Sequence, residues 1–284
     1  MTTRFRSRPA LKASPGACDT HVHFYDDAYA PSPGAWLFPP NFTVADYRKV
    51  QRRLGLQRLV VVQPVTYGFD NSCTLDAVAQ IGADARAVVT VPASIADDEL
   101  AGLWRRGARG LRFHQMRGGM TEWSELPRMA ARLAGTRWHI QLQCDGFELP
   151  QREDLIAGLP CTVVIDHLGR YPTAIRPEHP AFLSLLRLAA REHVYVKLSG
   201  AYHMSETGAP AYEDVAPLAK ALVELDHRRL LWASDWPHPT QTPETMPDDA
   251  DLLDLLLSWA PGEDVRRAIL VDNPARLYGF AAES

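Results

Sequence analysis

Two histidines, His21 and His23, end a short apolar stretch in Asp19-Thr20-His21-Val22-His23. Side chains two residues apart on a strand leave from the same face, so the two imidazoles would project side by side. Paired imidazoles polarise a carbonyl, shuttle protons or bind a metal. Other segments carry groups that would complete such a site. Asp166-His167 ends one apolar run, Asp235 precedes Trp236-Pro237-His238, and Arg112 and His114 alternate in Gly110-Leu111-Arg112-Phe113-His114. These residues do chemistry together only if the fold brings distant segments to one place.

The elements that would do so recur along the chain. Short β-branched runs occupy 18–23, 57–63, 86–92, 108–115, 138–144, 161–167, 194–200 and 230–236. Helical patterns fall at 43–54, 71–82, 96–106, 123–134, 151–158, 180–192, 212–225 and 250–259, with a last short one at 264–271. Strands alternating with helices predict βα units on a parallel sheet. Eight units in this length predict a single-domain α/β (β/α)8 TIM barrel, whose chemistry lies at the C-terminal ends of its strands. Alternation puts His139, Gln141 and Gln143 on one face of their run, opposite Trp138, Ile140 and Leu142. It likewise groups Gly110, Arg112 and His114, then Val163, Ile165 and His167, then Leu231, Ala233 and Asp235. The Pro-rich stretch 31–40 follows the first strand, where Trp36 and Phe38 would wall a pocket, and a second Pro-rich loop covers 237–249. Asp272 to Tyr278 is expected to pack the C-terminus onto the barrel.

Composition excludes several classes. A hydrophobic content of 46% over 284 residues is enough for a large core, and a net charge of −4 gives no global attraction to nucleic acid or an anionic membrane. Residues 1–17 are polar and basic without an apolar h-region, and read as a flexible segment ahead of a domain over 18–280. No run is long enough to span a bilayer. Cys18, Cys73, Cys144 and Cys161 are scattered without C-x-x-C spacing, as expected of reduced thiols in a cytoplasmic protein. No Gly-rich nucleotide-binding pattern follows any strand.

Taken together, the paired histidines, Asp166-His167-Leu168-Gly169-Arg170 and Ser234-Asp235-Trp236-Pro237-His238-Pro239 resemble the amidohydrolase superfamily. The similarity runs from about Cys18 to Tyr278. It is greatest to the branch of lactonases and lactone isomerases acting on carboxylated or sugar-acid lactones. Further matching stretches are Gln63 with Tyr67-Gly68-Phe69-Asp70-Asn71, Met246-Pro247-Asp248-Asp249 and Val271-Asp272-Asn273-Pro274. The resemblance implies Asp235 as the general base that activates water. It implies His21, His23 and His167 as residues that polarise the scissile carbonyl, and Arg170 as a grip on a substrate carboxylate. Arg112, His114, Gln143, Gln63, Tyr67, Tyr202 and His203 complete the expected substrate-binding set.

Metal-dependent members of the superfamily usually add a lysine or glutamate on the fourth strand and histidines on the fifth and sixth. Here the fourth offers Arg112 and His114, the fifth ends in Gln143, and the sixth alone supplies a histidine. The expectation is therefore catalysis that requires no cofactor, with one zinc or other divalent ion on His21, His23 and Asp235 as the alternative. The branch implies a hydrolase of carbohydrate or aromatic-acid catabolism that opens a small lactone. Rival readings are a sugar-acid lactone isomerase, a metal-dependent amidohydrolase or decarboxylase, and a non-catalytic barrel that binds a small acid. The expected partner is a small-molecule lactone or carboxylic acid, not nucleic acid or membrane, and a homo-oligomer stays open.

Overall fold

The computed structural model describes residues 8–281. β1 (Cys18–Val22), β2 (Arg58–Val62), β3 (Ala85–Val89), β4 (Ala108–His114), β5 (His139–Gln143), β6 (Thr162–Ile165), β7 (Val194–Leu198) and β8 (Leu230–Trp232) form one sheet in sequence order. All seven ladders are parallel. The sheet closes on itself just beyond β8. Val22 bridges Trp236, the Asp235 N–H donates to the His21 carbonyl (3.0 Å), and the His23 N–H donates to the Trp236 carbonyl (2.8 Å). The fold is the expected (β/α)8 barrel.

Between the strands lie α1 (Val44–Leu54), α2 (Ser72–Ile81), α3 (Asp97–Arg105), α4 (Leu126–Leu133), α5 (Leu149–Ala157), α6 (Pro180–Ala189) and α7 (Ala216–Asp226), and α8 (Asp249–Trp259) follows β8. Local sequence sets their ends. At the start of α1, Asp46 accepts from the backbone and hydroxyl of Thr43, a reciprocal cap, and Gly55 ends the helix at φ +74°. Val44, Tyr47 and Leu54 then face the barrel from one side of the helix.

The strands have two cores, one on each face. Outward-facing Leu59, Val61, Ile140, Leu142, Val163 and Ile165 pack in the large cluster with the helices. Inside the barrel, Cys18, Val60, Val62, Val88, Val164, Tyr195 and Leu231 pack together, closed by Tyr278 and Phe280 of the C-terminal segment. The C-terminus thus plugs the interior as well as covering it. Alternation is borne out for β4 and β5 but fails for β6. Val164 points inwards, Val163 and Ile165 point outwards, and His167 therefore does not share their face. The regular strand stops at Ile165, and His167 reaches the mouth through a left-handed backbone at φ +51°. β8 likewise stops at Trp232, well short of Asp235, which is left-handed at φ +65°.

Of the segment expected to be flexible, residues 1–7 lie outside the described residues. Further along it, the N–H groups of Ala10 and Leu11 donate to the Asp254 carboxylate on α8 (2.9 and 2.8 Å), and Leu11 and Ala17 are buried. The four cysteines are free and buried. Among the described residues, no helix is long and apolar enough to cross a membrane.

Gly110 shows how closely the interior is packed. A Cβ there would lie 2.3 Å from Nε2 of the buried His139 on the neighbouring strand. Gly110→Ala should therefore destabilise the barrel by about 1–3 kcal/mol in urea unfolding. Gly34→Ala, with nothing within 4 Å of the added carbon, should leave stability unchanged.

Candidate active site

The strand ends enclose a cavity of about 190 Å³ at the barrel mouth. Of the expected residues, His23, Arg112, His114, Gln143, His167, Arg170, His203 and Asp235 line it. Tyr25, Pro64, Val65, Met116, Arg117, Pro239 and Thr240 complete the wall, together with Trp36 and Leu37 of the first Pro-rich loop. Trp36 thus behaves as expected, whereas Phe38 is 65% exposed and turned away. Arg117 stacks over the Trp36 ring at 4.6 Å, and Trp36 Nε1 donates to the Arg117 carbonyl, which ties the loops after β1 and β4.

Asp235 lies at the centre. Its Oδ2 accepts from the Tyr202 hydroxyl (2.5 Å) and lies 3.2 Å from His203 Nε2. Its Oδ1 faces Nε2 of His21 and of His23, each at 3.6 Å, and Nε2 of His167 at 3.9 Å. Burial opposes charge on this carboxylate, but His167, the donor from His203 and the nearby His21 outweigh it and hold Asp235 well below the usual carboxylate range. Burial, with the neighbouring cations, pushes His167 down to about 4 and lowers His21 and His203 as well. At neutral pH the site therefore holds an ionised carboxylate beside neutral His21, His167 and His203 rings.

The proton positions follow from fixed acceptors. His23 Nδ1 lies 2.7 Å from the Val62 carbonyl, which can only accept, so Nδ1 carries the proton and Nε2 keeps its lone pair. His21 Nε2, 3.1 Å from that lone pair, is the donor of the pair. Its Nδ1 then accepts from Lys197 Nζ at 3.1 Å. Lys197 also donates to the Thr20 carbonyl (2.9 Å) and Gln141 Oε1 (2.8 Å) and pairs with Asp166 (3.2 Å). Gln141 Nε2 donates to Asp166 Oδ2 (3.0 Å), so a paired, hydrogen-bonded layer of charge lies beneath the histidines.

Four expected residues do not line the cavity: His21, which is fully buried, and Gln63, Tyr67 and Tyr202. Gln63 spends its amide on the carbonyls of Gly68 and Asp70 and on the Thr74 hydroxyl. Its backbone carbonyl accepts from Arg112 Nη1 (2.6 Å), while Arg112 Nη2 donates to Gln143 Oε1 (2.8 Å). The Tyr67 hydroxyl is bonded to the backbone N–H and carbonyl of Asp26 and pins the loop after β1. Tyr202 contacts Asp235 from outside the cavity wall. Sequence reasoning passed over Lys197, Gln141 and Asp166 as site residues. The available signal was a lysine in the otherwise apolar Val194-Tyr195-Val196-Lys197-Leu198, on the same face as Tyr195.

His21, His23 and Asp235 can hold a metal ion. Their facing atoms form a triangle with edges of 3.1, 3.6 and 3.6 Å. A tetrahedral zinc with ligands at about 2.0–2.1 Å needs edges of roughly 3.3–3.4 Å, so the residues fit such an ion.

Burial also leaves a pH signature away from Asp235. His114 and His139 are both pushed to about 3, chiefly by burial, from an ordinary value of 6.5. Between those values the unfolded chain binds the extra protons, so these groups lend full stability above pH 6.5 and lose it as the pH falls. Asp19, raised to about 6 by burial, acts in the opposite sense below that value. His139→Gln should flatten the loss of unfolding free energy between pH 6.5 and 4 relative to the parent protein, and an unchanged slope would contradict this assignment.

The amidohydrolase family model matches residues 18–280. A 4-sulfomuconolactone hydrolase from Rhizobium radiobacter is 40% identical over 97% of this chain and 94% of its own length. A 2-pyrone-4,6-dicarboxylate hydrolase from Comamonas testosteroni is 36% identical over 96% of this chain and 93% of its own. An unliganded crystal structure of an Agrobacterium tumefaciens protein superposes with a TM-score of 0.91 at 30% identity, covering 98% of this chain and 99% of that one. The chain belongs to the amidohydrolase family.

Proposed function

We propose that this protein is a lactonase that opens a small carboxylated or sugar-acid lactone by hydrolysis, with Asp235 as the base that activates water. The observation that carries this reading is the division of labour between the two oxygens of Asp235. Oδ2 is held by Tyr202 and His203, while Oδ1 has no imidazole within 3.5 Å. A buried, ionised carboxylate with one free oxygen is suited to take a proton from water. The two lactone hydrolases described above, similar along nearly their whole length, support the same chemistry.

Water held at Oδ1 attacks the lactone carbonyl as its proton passes to Asp235. The carbonyl oxygen gains charge near His167 and Arg112, whose fixed dipole and charge stabilise it; one well-placed donor contributes on the order of 3 kcal/mol. Asp235 then returns the proton to the ring oxygen as the C–O bond breaks. Arg112 and Arg170, each with a buried Nε that has no protein partner, supply positive charge for a substrate carboxylate.

The reaction is proposed to require no cofactor. Lys197 stands 3.1 Å from the far nitrogen of His21, and Arg112 lines the same cavity, so fixed positive charge opposes a cation there. Were a zinc bound, His21, His23 and Asp235 would hold it, and it would supply Lewis-acid polarisation of the carbonyl. The protein is proposed to act in the cytoplasm, on a small molecule.

Asp235→Asn should lower kcat by roughly 10²–10⁴-fold with KM and the unfolding midpoint little changed; near-parental turnover by this variant would remove Asp235 from the mechanism. NMR of the products should show the ring-opened acid, whereas accumulation of a second lactone would establish isomerisation instead. Protein stripped by a chelator and verified metal-free by elemental analysis should keep full turnover, and loss of activity restored by one equivalent of zinc would overturn the cofactor-free assignment.

A further inference from the structure

Two stretches that the proposed reaction leaves without a role, Trp236-Pro237-His238 and Met246-Pro247-Asp248-Asp249, meet in the fold. His238 Nε2 lies 2.9 Å from Asp249 Oδ1, and both residues are buried. His238 Nδ1 lies 3.2 Å from the Tyr202 hydroxyl, with the two rings edge to face at 5.2 Å and 89°. The Tyr202 hydroxyl in turn lies 2.5 Å from Asp235 Oδ2. A continuous chain therefore runs from Asp249, in the first turn of α8, through His238 and Tyr202 to Asp235. Its outer end is fixed by Arg53 of α1, 3.4 Å from Asp249 Oδ2.

The direction of each bond follows from what each group can do. The Asp249 carboxylate accepts, so His238 Nε2 donates and Nδ1 presents a lone pair. The Tyr202 hydroxyl has one proton and two acceptors, Asp235 Oδ2 and His238 Nδ1. The charged and nearer carboxylate takes it in the resting site. When Asp235 Oδ1 receives the proton of the attacking water, the carboxyl becomes neutral and a poorer acceptor. The imidazole lone pair is then the better partner.

We propose that His238 and Asp249 are positioning residues that act on Asp235 through Tyr202. They keep the Tyr202 hydroxyl on Oδ2 and offer it a second acceptor as Asp235 becomes protonated. Tyr202 keeps its proton throughout. The water proton goes to Oδ1, and the water oxygen's electron pair forms the bond to the carbonyl carbon. The carbonyl π pair moves onto its oxygen, and the hydroxyl only turns. The proposal rests on the lactonase reading for its kinetic consequences but not for its geometry.

The test is a double-mutant cycle on the full chain with Asp249→Asn, Tyr202→Phe and both together. Asp249→Asn should lower kcat on the order of tenfold, the worth of one hydrogen bond to a charged group, and leave KM within about twofold on the same scale. In the Tyr202→Phe background it should cause no further loss. A full additional loss in that background, or no loss in the parent, overturns the proposal. His238→Gln, which keeps a carbonyl acceptor for the hydroxyl, should retain more kcat than His238→Leu and serves if Asp249→Asn fails to fold; equal losses in the two overturn it. Nitrogen-15 NMR of histidine-labelled, substrate-free protein should find the His238 proton on Nε2, with an Nδ1 resonance that moves in Tyr202→Phe. A proton on Nδ1 overturns the chain whatever the substrate. If no lactone is turned over by the parent protein while the NMR pattern holds, the reaction is wrong and the chain stands.

Discussion

A single buried carboxylate, Asp19, holds the two halves of the site in register. Its Oδ2 accepts from the hydroxyls of Tyr47 on α1 (2.8 Å) and Ser234 after β8 (2.5 Å). Its Oδ1 accepts from the backbone N–H groups of Ser234 (3.0 Å) and His21 (3.2 Å). Asp19 is two residues before His21, and Ser234 is next to Asp235. The bonds that join the first strand to the segment beyond the last therefore also fix the paired histidines against the central carboxylate. Burial raises Asp19 to about 6, and the hydrogen bonds from Ser234, Tyr47 and His21 pull against that rise.

The charges above this latch are balanced in layers. Lys197 and Asp166 pair at 3.2 Å beneath the mouth, both fully buried, with Gln141 bridging them. A buried pair of this kind contributes little net stability, because desolvation offsets the attraction, but it fixes geometry. Here it fixes which nitrogen of His21 carries a proton. Above it, Asp235 stays ionised because histidines and a tyrosine surround it, and Arg112 and Arg170 line the space that a substrate would enter. The left-handed backbone at His167 and Asp235 is part of the same arrangement. Strain of order 1–3 kcal/mol at each such residue persists only where the surroundings hold it.

The barrel was legible in the sequence because its signal is periodic and repeated eight times. The polar face of β5 was legible too: His139, Gln141 and Gln143 alternate against Trp138, Ile140 and Leu142, and strand geometry turns that alternation directly into inside and outside. The same rule misplaced His167. It assumes an extended backbone up to the last residue, and β6 leaves the sheet at Ile165. Gln63 and Tyr67 lie near the right strand end, but their polar atoms are consumed by loop backbone, and hydrogen-bond partners of that kind leave no pattern in a sequence.

The sequence by itself determined the barrel, the strands that carry chemistry, and the paired histidines, Asp235 and the arginines as the groups to watch. The barrel, the histidines, Asp235 and Arg112 follow from periodicity and residue type, which are local and additive along the chain, whereas Arg170 follows from the family resemblance. Only the tertiary structure decided which oxygen of Asp235 is held by Tyr202 and His203, which nitrogens of His21 and His23 bear their protons, and that Lys197 bonds to His21 from beneath the site. Those outcomes depend on distances between segments as far apart as Thr20 and Lys197, or Asp19 and Ser234. Hydrogen bonds are short and directional, so an ångström set by the packing of the whole barrel decides whether each one exists.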